Sequence, residues 1–76
     1  MGNADLPSLR DRDVIRAFER LGCVHLPGRG KGSHTVLRPP NGRIVTIPHG
    51  RDVGRGLLAK AIRQAGFTND EFRDAL

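Results

Sequence analysis

Ser33-His34-Thr35-Val36-Leu37-Arg38, then Pro39-Pro40-Asn41-Gly42, then Arg43-Ile44-Val45-Thr46-Ile47-Pro48 is the stretch on which the fold turns. Two extended runs, the second rich in β-branched residues, flank a turn. Branching at Cβ restricts χ1 and suits a side chain to a pleated, half-buried surface. Asn41-Gly42 supplies the positive φ that a tight hairpin needs. Pro48 closes the third strand, Arg43 to Ile47, because it has no N–H to continue a ladder. The second strand is Ser33 to Arg38. A first strand, Cys23 to Leu26, precedes it across the glycine-rich loop Pro27-Gly28-Arg29-Gly30-Lys31-Gly32. Sequential strands with short links pair as an antiparallel meander.

Helical periodicity brackets these strands. Val14, Ala17, Phe18 and Leu21 recur at i, i+3, i+4 and i+7, which predicts a helix over Asp11 to Leu21 with one apolar stripe. Asp11 and Asp13 in its first turn and Arg20 in its last complement the helix dipole. Its N-cap falls on Ser8, Arg10 or Asp11, and Gly22 ends it. A second helix runs from about Arg55 to Ala65, with Leu58, Ala61, Ile62 and Ala65 as its apolar face and Gly66 as its stop. Thr68-Asn69-Asp70-Glu71 is a capping box that opens a short last helix through Ala75. The order is α-β-β-β-α with a terminal helix. This is an α+β chain whose three-stranded antiparallel sheet carries helices on one face and leaves the other face or its edge free. Residues 1–10 are expected to form a partly disordered leader, and residues 11–76 a single domain.

Size and charge narrow the function. A chain of 76 residues buries only about 60% of the surface it exposes when unfolded, so its core is thin and a deep two-lobed pocket is excluded. An active site must lie on an open face and take a polymer or a protein. Of 13 Lys+Arg and 8 Asp+Glu, the whole excess of +5 comes from residues 22–51. That segment holds Arg29, Lys31, Arg38, Arg43 and Arg51, all three histidines (His25, His34 and His49) and no acid. A segment of one sign attracts polyanions through phosphate contacts and counterion release; as a bare charge excess it serves equally as a solvated basic face. With no Trp or Tyr and three Phe, base stacking on an aromatic platform is not expected. The single cysteine, Cys23, excludes an internal disulfide and fits a reducing cytoplasm. It sits beside a helix stop and reads as a buried structural thiol. No apolar run approaches the length of a membrane span.

Gly32-Ser33-His34 is the chemical centre of the basic segment. Glycine permits close approach of a phosphate backbone, and Arg29 and Lys31 can neutralise it. Histidine exchanges protons near neutral pH, so His34 can take a proton from a ribose 2′-hydroxyl or give one to a departing 5′ oxygen. Cations beside it can hold the charge that develops on phosphorus. Read without this context, His34 is a polar strand residue. His49, in Pro48-His49-Gly50-Arg51, can supply a second proton-transfer group, touch phosphate, or be a loop histidine without a role. Ser33 is a poor nucleophile for His34 to activate, because adjacent strand side chains point to opposite faces. The histidines are widely spaced with no acid among them, so neither a metal site nor a cofactor is expected. The RNA-contacting candidates are Arg29, Lys31, Gly32, Ser33, Arg38, Arg43, His49 and Arg51. A non-catalytic module that binds double-stranded RNA by shape is the competing reading.

Four stretches carry a resemblance: Asp13 to Gly22, Gly32-Ser33-His34, Asn41-Gly42-Arg43 with Ile44 to Pro48-His49, and Gly56-Leu57-Leu58 running into Ala61 to Gly66. Their order and spacing, over roughly residues 11–67, resemble the HicA toxins of bacterial toxin–antitoxin modules. The chain departs from the usual pattern at Cys23, where an aromatic residue is common, and at Thr35, where a second histidine is common. The resemblance implies a fold like that of double-stranded-RNA-binding domains. It also implies a ribosome-independent mRNA interferase, an endoribonuclease that cuts mRNA and tmRNA and is neutralised by a HicB-type antitoxin. The family's catalytic histidine falls on His34.

Overall fold

The computed structural model describes residues 6–27 and 34–76. Eight elements follow in order: β1 (Leu9–Arg10), α1 (Asp11–Arg20), β2 (Val24–His25), β3 (His34–Arg38), β4 (Val45–Pro48), β5 (Asp52–Val53), α2 (Arg55–Gln64) and α3 (Asn69–Asp74). β2, β3 and β4 form a three-stranded antiparallel sheet in that order, as the meander expected from the sequence requires. β1 and β5 form a separate antiparallel pair, with Leu9 opposite Val53 and Arg10 opposite Asp52.

The expected helices are present, and their boundaries have a hydrogen-bonded cause. Gly22, at φ 95, lets α1 end with its own N–H donating to the Glu19 carbonyl and the Cys23 N–H donating back to Phe18. Gly66, at φ 85, ends α2 in the same way through Arg63 and Ile62. Arg10 is the N-cap of α1, without a side-chain cap bond. At α3 the Thr68 hydroxyl accepts from the Glu71 N–H and the Glu71 carboxylate accepts from the Thr68 N–H, closing the capping box.

The strand limits differ from those expected. The third strand of the meander covers Val45–Pro48 rather than Arg43 to Ile47. Arg43 is still in the turn, its N–H donating to the Asn41 side-chain oxygen at 2.9 Å. Ile44 gives its carbonyl to the Gln64 side chain instead of to β3. Pro48 belongs to the strand, at the end of an edge where a missing N–H is tolerated. The first strand shortens to Val24–His25, because the Cys23 N–H caps α1. Residues 6–10 contribute to the fold as well: Leu6 is buried and Leu9 packs on the core. Residues 1–5 lie outside the described part.

Phe18, Leu37, Ile47, Val53, Leu58, Ile62 and Phe72 are all buried. Burial of each such side chain is worth roughly 1.5–3 kcal/mol. Phe18 of α1 meets Phe72 of α3 at a centroid distance of 5.1 Å, which ties the terminal helix to the first. Strand alternation sends Thr35, Leu37, Val45 and Ile47 to the helix side. His34, Val36 and Arg38 take the opposite face, with Thr46 and Pro48 across from them.

Candidate active site

His34 is the first residue of β3, exposed, and directly opposite Pro48 of β4. The ladder therefore carries the chain from Pro48 into His49-Gly50-Arg51 at the same end of the sheet as His34. Arg38 closes the other end of β3, about 13 Å along the strand at ~3.3 Å per residue. Arg43 sits in the hairpin turn at that far end, and both arginines are exposed. The structure thus brings His49 and Arg51 toward His34 and leaves Arg38 and Arg43 at the opposite end of the open face. Arg29, Lys31, Gly32 and Ser33 lie outside the described residues. His25 is exposed on the edge strand β2, opposite Leu37.

Sequence reasoning gave Asp11 only a place in the first turn of a helix. In the structure it is one of two buried polar residues among those described, 6% exposed, whereas Asp13 on the same turn is exposed. Its Oδ2 accepts the Gly50 N–H at 2.8 Å and lies 3.8 Å from Nδ1 of His49, ion-pair range but longer than a hydrogen bond. Its own N–H donates to the Arg51 carbonyl at 3.2 Å. Gly50, at φ 79, is what lets the chain turn its N–H back to the carboxylate. The Gly50 hydrogen bond holds the Asp11 carboxyl below its ordinary value of 3.8. Burial opposes this, while the Arg12 N–H and the charges of His49 and Arg10 add to it. Arg10 is also within 3.6 Å of Asp52, across the β1–β5 pair.

Other groups are less suited to chemistry. Burial pushes the Cys23 thiol up to about 11, so it stays protonated and unreactive. Among the described residues no three of His, Cys, Asp and Glu converge as metal ligands, and no helix is long and apolar enough to cross a membrane. A shallow apolar groove runs between Ile44–Thr46 and Leu57, Lys60 and Gln64 of α2, and no histidine borders it.

The family model for the HicA toxin of bacterial toxin-antitoxin matches residues 12–67. That span runs from α1 through the whole sheet to the end of α2, and it includes His34 and His49. No curated protein matches the chain.

Proposed function

The chain belongs to the HicA toxin family and is the toxin of a bacterial toxin–antitoxin system; from that premise we propose that it is a metal-independent endoribonuclease with His34 as its catalytic residue. The observation that carries this reading is the position of His34. It stands exposed at one end of an open sheet face, within the acid-free basic segment, next in the ladder to Pro48-His49. An exposed imidazole can reach a ribose 2′-hydroxyl on a strand laid across that face and take its proton as O2′ attacks phosphorus. Cations of the same segment, Arg29, Lys31 and Arg51, supply charge to the phosphorane. A thin domain with an open face is suited to single-stranded RNA, mRNA and tmRNA included, which needs no enclosing pocket.

The antitoxin in this reading is a HicB-type protein, acidic where it meets the basic face, which silences the toxin by covering His34. The setting is the cytoplasm, where the RNA is. Induced expression tests the reading in cells. Growth should arrest with loss of transcripts, co-expression of the antitoxin should restore growth, and His34→Ala should relieve the arrest while the protein accumulates folded. Equal toxicity of His34→Ala would show that another group does the cutting.

A further inference from the structure

Attack by a 2′-hydroxyl on phosphorus calls for two proton transfers, and the structure holds a second imidazole at the same end of the sheet as His34. We propose that His49 is the second proton-transfer group, delivering a proton to the departing 5′ oxygen while His34 removes one from the 2′-hydroxyl, and that Asp11 is the positioning residue that orients the His49 ring. This rests on the ribonuclease reading above.

His49 follows the residue that faces His34 across the ladder, so the backbones of the two histidines are neighbours. The bend that carries His49 is clamped. The Asp11 carboxylate takes the Gly50 N–H, the Asp11 N–H is given to Arg51, and β1 pairs with β5 immediately beyond. A carboxylate serving only the helix dipole has no need to leave water, as the exposed Asp13 illustrates. Asp11 is instead buried and turned toward Gly50 and His49. Burying a charge is costly unless it is paired and hydrogen-bonded, and the Gly50 N–H of this bend is the largest of the contacts that stabilise it, with the Arg12 N–H and the charges of His49 and Arg10 beside it. With Nδ1 turned toward the carboxylate, Nε2 lies on the far side of the ring, and the side chain is 62% exposed. A carboxylate that fixes ring orientation, with the remote nitrogen free to act, is the arrangement by which second residues position catalytic imidazoles.

The step balances without a co-reactant. His34 takes the 2′ proton as the O2′–P bond forms. The P–O5′ bond breaks with its electron pair on O5′, and His49 protonates that oxygen. The products are a 2′,3′-cyclic phosphate and a 5′-hydroxyl, and the two imidazoles recover their starting protonation by exchange with water.

The test measures kcat and KM of wild type, His49→Gln, Asp11→Asn and the double variant on a single-stranded RNA in EDTA, with circular dichroism confirming the fold of each. Asparagine keeps one acceptor oxygen for the Gly50 N–H while it removes the charge and turns the second oxygen into a donor. General acid catalysis predicts a fall in kcat of about 100-fold or more for His49→Gln with KM little changed. An RNA with sulfur in place of the bridging 5′ oxygen at the cut linkage should narrow that gap to below about 10-fold, because a thiolate departs unprotonated. Asp11→Asn should cost about 10-fold in kcat when His49 is present and less than about 2-fold when it is absent, since a residue acting through another couples to it. A His49→Gln enzyme as fast as wild type overturns the proposal and leaves the ribonuclease reading standing. So does a loss that sulfur fails to rescue, or an Asp11→Asn effect that is independent of His49. A wild type that cuts neither RNA overturns both.

Discussion

Asp11 is the residue whose environment departs furthest from what its neighbours in sequence suggest. Its folded carboxyl titrates below the ordinary 3.8 because the Gly50 N–H stabilises the anion. A depressed carboxyl stabilises the fold above its unfolded value, and that contribution is lost as pH falls through the lower, folded value. Asp11→Asn should therefore be less stable than wild type at neutral pH in urea denaturation. The difference should shrink as pH falls from the ordinary carboxyl value through the lower folded one, below which wild type also carries a neutral side chain. A difference that is constant with pH would mean that the charge contributes nothing to the fold. Spacing rules single out His34 as a candidate, because glycine, serine and a histidine at the edge of a basic loop form a local pattern. They could not find Asp11. An acid at the start of a helix is ordinary, and nothing in the chain links position 11 to position 50 until β1 and β5 pair.

At the level of elements, the helices and the three-stranded meander were legible, and the short β1–β5 pair was not. The apolar stripes of α1 and α2 and the Thr68–Glu71 capping box appear where periodicity and capping chemistry put them. β1 and β5 are too short to show alternation, and their pairing joins the segment before α1 to the segment after β4, beside the Asp11 bend. The limits of β4 were misplaced because side chains, Asn41 and Gln64, take the backbone groups that a longer hairpin would have used. Two of the positive-φ glycines, Gly66 at the end of α2 and Gly50 in the bend after β4, should differ in tolerance. A Cβ on Gly66 would lie 2.9 Å from the Asn41 side-chain nitrogen, which donates to the Gln64 carbonyl, whereas a Cβ on Gly50 meets nothing within 4 Å. Both glycines have positive φ, so alanine costs about 1–2 kcal/mol at either from backbone strain alone. Gly66→Ala should exceed Gly50→Ala in thermal or urea denaturation, since it also displaces Asn41. Equal losses would mean that Asn41 yields freely. At α3, Thr68→Ala should cost about 1 kcal/mol by opening the capping box.

For the whole molecule, the sheet gives one face to the helices and leaves the other open, and the proposed RNA lies on the open one. The helices cover the face of Leu37, Val45 and Ile47, and the open face carries His34 at one end and Arg38 at the other. Composition alone located the basic segment but not this polarity, because the meander and not the sequence order sets which cations share an end with His34. The ribonuclease proposed for such a face requires only a strand of RNA and no bound metal. The most direct test incubates purified wild type and His34→Ala with a long single-stranded RNA in excess EDTA, and follows both cleavage and binding. The account predicts that wild type cuts and that His34→Ala binds the RNA without cutting it. Cleavage by His34→Ala at the wild-type rate, or RNA binding by both proteins with cleavage by neither, would contradict it.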